Sequence, residues 1–364
     1  MTTELLTKRR ASSGWKGTEQ SIRRSLKPSP FPERVQPMLC TLISEPFDDP
    51  NWIFEPKFDG QRMLGRFDGR KVGLISRLGN DDAHWFPELI GPFQKSLGKR
   101  GVVDGEIVCL DEHGRSSFRM LQQRFHLSDP REIARRAELF PAYFYLFDIL
   151  YIDRYDVTAL PLIERKKILR DAVKWRDRIR WTEFKPRYCT RLFREACRRG
   201  EEGIIGKLID SRYVFRRSRD WVKIKCLARQ EFVIGGFTEP QGSREGIGAL
   251  LVGYYEPDGK TLVYAGKVGT GFDHEMLIDL RRRLEPLEQR HSPFLKGDPP
   301  QGPGVHWVKP KLVAEIAFTE WTQHNSLRHP RFEGLRMDKK AREVRREVPT
   351  GAKLTPASAQ EKPA

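Results

Sequence analysis

The sequence predicts an α+β chain in which a mixed domain of strands and helices is followed by a smaller β-barrel. Two observations lead to this fold class. Up to about residue 225, short apolar or alternating runs that are typical of strands are interspersed with helical stretches. Beyond that point the pattern changes to about five strand runs with one helix among them, which suits a barrel of the oligonucleotide-binding type.

The chain has 364 residues, a length that accommodates about two domains. Residues 1–36 are basic, contain few large apolar side chains and end in a proline-rich stretch, so we predict a flexible basic arm there. The tail 350–364 is rich in Ala, Lys, Pro and Ser and is predicted to be disordered. Between these ends we place the mixed domain over residues 37–228 and the barrel over residues 229–349.

The predicted elements follow from local patterns. Runs bounded by Gly and Asp-Gly turns predict strands of the mixed domain at residues 52–54, 62–67, 72–76, 102–110 and 143–151. Helices are predicted there at residues 131–139, 162–173 and 192–199. The barrel is predicted to contain strands at residues 232–237, 249–255, 262–268 and 312–321, with a helix near 272–284.

The composition indicates a polyanionic partner. Lys and Arg together number 66 against 49 Asp and Glu, which gives a formal net charge of +17. Clustered cations release condensed counterions when they neutralise phosphates, so nucleic acid is one natural partner of such a chain. Composition alone does not say which polyanion binds.

The cysteines and the apolar runs are evidence for the cellular compartment of the protein. The five cysteines include no CxxC pair and are odd in number, which fits neither a disulfide framework nor a zinc ribbon and favours a reducing compartment. No run approaches the about 18 apolar residues of a membrane span, and the N-terminus has no apolar signal core. We therefore expect a cytoplasmic protein that does not engage a membrane.

The strongest chemical signal is the segment 55–62, Glu-Pro-Lys-Phe-Asp-Gly-Gln-Arg. A lysine at the end of a strand, followed by an Asp-Gly turn and an arginine, brings an amine, a carboxylate and a guanidinium to one pocket mouth. An amine attacks phosphorus only when it is unprotonated, so Lys57 would need a lowered pKa, and Lys223 and Lys225 are candidate cations for this. The alternative for this segment alone is a surface lysine beside an ordinary hairpin.

Further short motifs follow in order, namely Ser76-Arg77, Asp104-Gly105-Glu106, Phe147-Asp148, Glu202-Gly203-Ile204-Ile205, Trp221-Val222-Lys223-Ile224-Lys225 and Arg336-Met337-Asp338-Lys339. With segment 55–62, this series resembles the ATP-dependent DNA ligases of the covalent nucleotidyltransferase superfamily, most of all the ligase module of bacterial non-homologous end-joining ligases. The resemblance covers about residues 37–340. It implies an adenylation domain of antiparallel sheets and helices, followed by an oligonucleotide-binding barrel.

The resemblance also implies a role for each motif. Lys57 would be the nucleophile that carries AMP, Glu106 and Glu202 would bind metal, and Phe147 would stack on adenine. Arg336, Asp338 and Lys339 would close over pyrophosphate. The nucleotide-binding residues that the resemblance implies are Glu55, Asp59, Arg62, Arg77, Glu106, Phe147, Arg219, Lys223, Lys225, Arg336, Asp338 and Lys339. The sequence departs from the family pattern at Gly206, where a small residue such as alanine is expected before Lys207.

The implied activity is the sealing of 5′-phosphate/3′-hydroxyl breaks in nicked or broken duplex DNA through a lysyl-AMP intermediate, in DNA repair or end joining. ATP would be the co-substrate, with Mg²⁺ that Mn²⁺ can replace. At this length we expect a stand-alone, monomeric enzyme, nucleoid-associated if bacterial, with Ku and separate end-processing proteins as partners by analogy. The candidates for contacts with the duplex backbone are the N-terminal arm and Arg216, Arg217, Arg219, Arg328 and Arg331.

Several alternatives stay open. An mRNA-capping guanylyltransferase shares the Lys-x-Asp-Gly core and a similar barrel, an RNA ligase is another relative, and a non-catalytic DNA-end-binding protein could retain the fold. An NAD-dependent ligase would need zinc-binding cysteines, which this sequence lacks. The sequence contains no Gly-x-x-x-x-Gly-Lys-Ser/Thr phosphate loop, which argues against a P-loop ATPase.

Overall fold

The structure is a computed structural model that describes residues 14–176, 178–226, 228–242, 244–322 and 324–349. The chain divides into two compact units, and the division falls directly after Cys226, with the second unit ending at Val348. The boundary expected from the sequence, between residues 228 and 229, lies two positions from this division. Residues 1–13 of the expected arm and the expected tail 350–364 lie outside the described residues.

The N-terminal segment differs from the flexible arm that the sequence predicts. Residues Gly14–Ser25 form helix α1, and Ile22 is buried in the apolar core of the first unit. The ring of Phe31 packs edge-on against that of Tyr151, with centroids 5.2 Å apart. The expectation of flexibility is therefore wrong for residues 14–36, because a few apolar side chains anchor a segment whose composition is otherwise polar and basic.

The first unit alternates strands and helices. After α1 its elements are β1 (Leu39–Leu42), β2 (Asp48–Pro56), β3 (Gln61–Phe67), β4 (Val72–Ser76), α2 (Pro87–Leu97), β5 (Gly101–Cys109), α3 (Phe118–Leu121), α4 (Pro130–Leu139), β6 (Ala142–Ile152), β7 (Tyr155–Asp156), α5 (Leu162–Ala172), β8 (Ile179–Trp181), β9 (Lys185–Tyr188), α6 (Cys189–Arg198), β10 (Gly203–Leu208) and β11 (Arg217–Lys225). Short 3-10 turns lie at Ala83–Trp85 and Gln122–Arg124.

These strands form two sheets. The first sheet has the order β1-β11-β10-β2-β9, and the second has the order β4-β3-β5-β6-β7 with β8 beside β6. Neighbouring strands are antiparallel except for β1 with β11 and β6 with β8. Helix α6 covers one face of the first sheet, and α2 and α5 contribute to the core on one face of the second. The remaining faces meet in a third apolar cluster, which includes Ile53 and Trp221 from the first sheet and Leu64 and Phe147 from the second.

The second unit is an antiparallel sheet with one helix packed on it. Its elements are β12 (Ala228–Thr238), β13 (Ala249–Tyr255), β14 (Leu262–Val268), α7 (His274–Leu284), β15 (Glu288–Gln289), β16 (Val305–Val308), β17 (Val313–Phe318) and β18 (Arg331–Arg336), with 3-10 turns at Glu285–Leu287 and Ala341–Glu343. Strand β12 pairs with β13, β16 and β17, and β18 pairs with β17. A bridge between Thr270, just after β14, and Arg331 on β18 joins the two sides of this order. The fold is that of an oligonucleotide-binding barrel, as the sequence predicts.

The cysteines differ from the sequence expectation. Cys197, on α6, and Cys226, directly after β11, form a disulfide across 29 residues of chain. Cys40, Cys109 and Cys189 are free. The sequence predicted no disulfide framework and a reducing compartment, and it missed this pair because packing of α6 on the first sheet, rather than a spacing motif, brings the two cysteines together. Among the described helices, none has the length and apolar character needed to cross a membrane.

Candidate active site

One face of the first sheet carries several of the predicted site residues. Strand β10 lies between β2 and β11, and its register places Ile205 opposite both Glu55 and Lys223. Residues directly opposite each other project to the same face, and side chains along a strand alternate between faces. Glu55, Ile205 and Lys223 therefore form one row across the sheet, which we call the middle row.

Two further rows flank the middle row on the same face. In the first row, Gly203 lies opposite Lys225, and the N–H of Lys57 donates to the carbonyl oxygen of Gly203 at 2.9 Å. In the third row, Lys207 lies opposite both Ile53 and Trp221. Lys223 and Lys225 therefore share one face, as their alternation with apolar residues predicts.

Two glycines allow the chain to come this close. Gly203 has a φ of +149°, and a Cβ at this position would collide with the carbonyl oxygen of Ile224. Gly60, in the turn after Lys57, packs so tightly on β5 that a Cβ would collide with the carbonyl oxygen of Ile107. Only glycine fits both positions, so the Asp-Gly turn and the Glu-Gly pair are required by backbone packing around Lys57.

The expected nucleophile contacts an expected metal ligand. Lys57 Nζ donates to Glu202 Oε1 in an ion pair, and the side chains are 19% and 5% exposed, respectively. Glu202 precedes β10, and its carbonyl oxygen accepts a hydrogen bond from the N–H of Cys226 at 3.0 Å. A carboxylate in contact with an amine favours the ammonium form. Attack by Lys57 therefore requires that this pair separate and that the amine lose a proton.

The second sheet contributes Arg62, which a buried carboxylate holds in place. Arg62 Nε and Nη2 donate to the two oxygens of Asp104 at 2.9 and 2.6 Å, and the hydroxyl of Tyr213 donates to Asp104 Oδ2 at 2.6 Å. Burial lowers the pKa of Arg62, but the attraction of Asp104 outweighs it and the pKa lies well above its ordinary value. Asp104 and Tyr213 were not predicted as site residues. Apart from Glu106, the other residues of β5 are apolar or glycine, and an aspartate in such a strand is the signal that could have identified Asp104.

Phe147 and Glu106 lie near Arg62. The register places Glu106 opposite Arg62 on β3 and opposite Tyr145 on β6. The ring of Phe147 is 8% exposed, with the Arg62 guanidinium 5.3 Å and Lys207 Nζ 4.0 Å from its centroid. Because Lys207 belongs to the first sheet, these contacts bring the site residues of both sheets together.

Asp59 and Arg77 lie at the edges of this region. Asp59 Oδ2 accepts a hydrogen bond from the N–H of Phe118 at 3.2 Å, at the start of α3, and the Asp59 N–H donates to Ser116 Oγ at 2.9 Å. Arg77 follows β4 and lines a cavity of about 450 Å³ together with other residues that include Arg34 and Arg66. Arginine-lined cavities suit anionic groups.

Glu55 belongs to a buried ionic group that we call the lysine cluster, which consists of Glu55, Lys166 and Lys207. Glu55 Oε1 pairs with Lys166 Nζ, and Glu55 Oε2 lies 2.6 Å from Lys207 Nζ. Lys207 follows Gly206, where the sequence departs from the family pattern. The contact with Glu55 places Lys207 on the face of the first sheet that carries Lys57. Lys166 was missed by the sequence analysis. The signal was its position among Leu162, Arg165 and Leu169 on the buried side of α5.

The last predicted motif forms a separate ionic group in the second unit, which we call the barrel cluster. Arg336 donates to both oxygens of Asp338 at 2.9 and 2.8 Å and to Glu315 Oε2 at 2.8 Å. Lys339 Nζ donates to Glu231 Oε2 at 2.6 Å. Burial raises the pKa of Asp338, but the charge of Arg336 outweighs it and lowers the pKa below its ordinary value. The cations of this motif are thus held by carboxylates of their own unit.

The arginines proposed for the duplex backbone fall into two groups. Arg216, Arg217 and Arg219 are exposed at the start of β11 or just before it. Arg328 and Arg331, in the second unit, pair with Glu320 and Glu333 at 2.7 and 2.9 Å. The first group is therefore a compact run of exposed positive charge, whereas the second group is partly neutralised.

The donor chemistry fits magnesium. Mg²⁺ is commonly held by one or two carboxylates, together with waters and substrate phosphates. Within the described ranges no group of three or more His, Cys, Asp or Glu side chains is arranged to hold a metal ion, so a ready-made protein cage of that kind is absent there. Glu202 and Glu106, the two expected metal ligands, have carboxylate chemistry of the kind that such a site uses.

Two families match this chain. The family described as ATP dependent DNA ligase domain matches residues 37–225. The family described as ATP dependent DNA ligase C terminal region matches residues 243–339. The two matches fall one in each compact unit.

Individual relatives agree with these matches. The multifunctional non-homologous end joining protein LigD of Pseudomonas aeruginosa is 40% identical over 331 residues, which are 89% of this chain and 38% of that protein. The LigD protein of Mycobacterium tuberculosis is 38% identical over 299 residues, 81% of this chain and 37% of that protein. A solved structure of mycobacterial DNA ligase D complexed with ATP and MES is 35% identical, with a TM-score of 0.63, and covers 86% of this chain and 98% of that chain. The chain spans less than half the length of these two full-length relatives.

Proposed function

This chain belongs to the ATP-dependent DNA ligases, and from that premise we propose that it seals breaks between a 5′-phosphate and a 3′-hydroxyl in duplex DNA through an AMP group carried on Lys57. The observation that carries the proposal is the face of the first sheet on which Lys57, Lys223 and Lys225 occupy adjacent rows. Three lysines on one face of a sheet provide the positive charge that a triphosphate would need.

In the first step, Lys57 Nζ attacks the α-phosphorus of ATP. A phosphorus–nitrogen bond forms, the bond between the α-phosphorus and the bridging oxygen breaks, and pyrophosphate leaves. Lys223 and Lys225 raise the local positive potential, which favours the neutral amine and stabilises charge on the phosphoryl oxygens. A Mg²⁺ ion held by Glu202 and Glu106 would add to this neutralisation.

The remaining two steps use the bound AMP. The 5′-phosphate at the break attacks the AMP phosphorus and displaces Lys57, so that AMP becomes attached to the DNA. The 3′-hydroxyl then attacks the activated 5′-phosphate, a phosphodiester forms and AMP leaves. The exposed arginines at positions 216, 217 and 219 would hold the duplex through its backbone, because such contacts need cations and little base readout.

The nucleophile is tested by mass spectrometry. Wild-type protein incubated with ATP and Mg²⁺ is expected to gain one AMP on Lys57, and Lys57→Ala is expected to gain none. Lys95→Ala, a change of an exposed lysine on α2, is the matched control and should behave like wild type. An AMP found on another side chain, or no adduct on the wild-type protein, would contradict the assignment.

The alternatives are separated by substrate choice. Labelled ATP should label the protein and labelled GTP should not, whereas a guanylyltransferase would show the reverse. A nicked DNA duplex should be sealed faster than a nicked RNA duplex, which separates a DNA ligase from an RNA ligase. A DNA-end-binding protein without activity would shift DNA in a gel and seal neither substrate.

We further propose that the enzyme serves DNA end joining, since relatives that carry that name match most of this chain. The test compares sealing of nicks, cohesive ends and blunt ends with and without purified Ku. Ku is expected to stimulate the joining of double-strand ends and to leave nick sealing within about two-fold. Equal effects on all three substrates would contradict this partnership, and sedimentation of the free protein would test the expected monomer.

A further inference from the structure

Helix α6 has one apolar side and one arginine side. Cys189 and Ala196 are buried in the cluster between the helix and the first sheet. Arg191, Arg194 and Arg198 are spaced by three and four residues, so they project from one side of the helix. At 3.6 residues per turn, this side is opposite the one that carries Cys189 and Ala196. We call these three residues the arginine stripe.

The arginine stripe is exposed, and its charge is only partly neutralised. Arg191 is 84% exposed, and Arg194 and Arg198 are also exposed. Glu195 is the one acidic residue in the helix sequence, and it pairs with Arg191 at 2.8 Å. The hydrogen bond from Arg191 lowers the pKa of Glu195, and the charges of Arg199 and Arg198 add to this shift. Positive charge therefore exceeds negative charge along this side of the helix.

The first sheet separates the arginine stripe from Lys57. Helix α6 packs against the face of the sheet that carries Phe54 and Ile204. Neighbouring residues of a strand project to opposite faces, so the middle row and the residues around Lys57 lie on the other face. A duplex whose break lies at Lys57 meets that other face. The charge of the arginine stripe is therefore not used by the chemistry proposed so far.

The charged surface continues into the end of β9, directly before α6. Tyr188 is 57% exposed, Arg187 is exposed, and the Arg187 guanidinium lies 6.0 Å from the Tyr188 ring centroid. Arg187 has a φ of +70°, a conformation that is strained for a residue with a Cβ. Arginine and tyrosine are enriched where proteins bind partners, and strained backbone is found most often at functional positions.

The dimensions of the arginine stripe suit the backbone of a duplex. Arg191 and Arg198 are seven residues apart, which is about 10 Å along the helix axis. One strand of a duplex presents a phosphate about every 3.4 Å along its axis, so the stripe spans about three phosphates. Guanidinium groups bind phosphate oxygens through paired hydrogen bonds. A peptide partner would also need apolar pockets for its side chains, and the stripe consists of arginines alone.

We propose that the arginine stripe, together with Arg187 and Tyr188, binds the phosphate backbone of a second duplex while a break occupies the site at Lys57. The proposal rests on the proposed function in taking duplex DNA as the substrate. One molecule thereby holds two duplexes on opposite faces of the first sheet. Holding them together raises the effective concentration of one DNA end near the other.

The experiment measures capture of a second duplex. A short nicked duplex is immobilised and saturated with protein in the absence of ATP, so that no sealing occurs. A labelled intact duplex is then added, and the amount retained is measured at several salt concentrations. Sealing of the same nicked duplex, in solution with ATP and Mg²⁺, is measured in parallel and reports on the active site.

The alanine variant carries Arg191→Ala, Arg194→Ala and Arg198→Ala, and the lysine variant carries lysine at the same three positions. Alanine is the best helix former, so the alanine variant keeps α6. It is expected to capture the second duplex about 10-fold less well than wild type or worse, and to seal the nick within about two-fold of wild type. The lysine variant should restore most of the capture, because backbone contacts need mainly positive charge.

A single substitution tests the contact with phosphates. Arg194→Ala is expected to reduce by about one the slope of the logarithm of affinity for the second duplex against the logarithm of salt concentration. The slope for the nicked duplex at the active site should not change. An equal reduction of both slopes would show that the arginine stripe contacts the same DNA as Lys57 and would overturn the proposal.

The matched control removes the same number of charges elsewhere, with Lys95→Ala on α2 and Arg131→Ala and Arg135→Ala on α4. All three residues are exposed, and Arg135 pairs with Glu132 at 2.8 Å, much as Arg191 pairs with Glu195. This control variant should capture the second duplex as wild type does. An equal loss of capture in the control and alanine variants would show an effect of net charge alone and would contradict a site on α6.

Two further results would overturn the proposal. One is wild-type protein that seals the nick but captures no second duplex. The other is capture by the alanine variant equal to that of wild type, which is also the result expected if an acidic protein is the partner of this surface. Failure of the wild-type protein to seal the nick would instead contradict the proposed function, so the two failures are distinguishable.

Discussion

The lysine cluster of the first unit and the barrel cluster of the second are both built from cations and carboxylates, but they differ in burial and in partners. In the lysine cluster, two lysines with at most 2% exposure share the single carboxylate of Glu55. In the barrel cluster, Arg336 and Lys339 are 14% and 11% exposed, and each contacts carboxylates of its own unit.

The two clusters would therefore meet an anionic substrate in different ways. The lysine cluster has more positive than negative groups and lies in register with Lys57, so its geometry is set before a nucleotide binds. The cations of the barrel cluster must exchange a carboxylate for a phosphate in order to act on ATP. We therefore expect the barrel cluster to contribute to one step of the reaction only.

The largest effect is expected at Glu202, which links Lys57 to the expected metal site. Glu202→Ala should slow lysyl-AMP formation on the order of 1000-fold, because it removes both an orienting partner of Lys57 and a metal ligand. Glu201→Ala is the matched control, since Glu201 pairs instead with Arg199 at 2.7 Å. Single-turnover labelling with ATP measures both, and comparable slowing in the two variants would contradict a specific role for Glu202.

The disulfide joins two residues of the first unit, so its loss is expected to lower the stability of that unit. Cys197→Ser is expected to destabilise the first unit by about 3–4 kcal/mol under oxidising conditions, because an opened loop of this length regains chain entropy on unfolding. Denaturant unfolding followed by tryptophan fluorescence measures the change, with Cys40→Ser as the control for loss of a free cysteine. Addition of a reductant should reproduce the loss in wild type and leave Cys197→Ser unchanged. A wild type insensitive to reductant would contradict the bond.

The barrel cluster should matter for one reaction step. Arg336→Ala is expected to slow lysyl-AMP formation about 10-fold or more while sealing of a pre-adenylated nick stays within about two-fold. Arg282→Ala, a change of an exposed arginine on α7 in the same unit, serves as the control for loss of charge. Equal slowing of both reactions by Arg336→Ala would contradict a role for the barrel cluster in one step only.

The smallest effect is a dependence of stability on pH that belongs to the lysine cluster. The pKa of Lys166 is lowered from 10.5 to about 8, so between these values the unfolded chain binds the proton that the folded chain has lost. The free energy of unfolding therefore rises with pH in this window. Wild type should gain about 1 kcal/mol relative to Lys166→Arg between pH 8 and pH 9, measured by denaturant unfolding. Parallel curves would show that Lys166 keeps an ordinary pKa.

The predicted elements are found where patterns are local and uninterrupted. The strands around residues 62–67 and 72–76 and the helix of the barrel follow closely from their apolar spacing. Helix α2 was missed because Gly91 and Pro92 interrupt it, yet its first-turn proline and buried Leu89 and Phe93 make it helical in context. Helix α1 was missed because burial of Ile22 in the core of the first unit stabilises it, and the composition of the segment does not reveal that contact.

In the candidate site, too, the sequence predicted individual residues but not the contacts between distant parts of the chain. Lys57, Lys223 and Lys225 were predicted on chemical grounds, and the strand register places them on one face. Arg62 was predicted as a nucleotide ligand, but its tight pairing with Asp104 was not, because that contact joins two strands whose register the sequence does not reveal. The individual roles of these residues toward ATP and DNA stay predictions.

Sequence alone was enough to recognise the family and the order of its motifs and to predict which side chains react, because these inferences depend on residue types at short spacings. The contacts of Lys166 with Glu55, of Cys197 with Cys226 and of Lys57 with Glu202 became known from the folded chain. Contacts between residues far apart in the chain depend on strand register and helix packing. Those are set by the burial of the whole core, which no local pattern encodes.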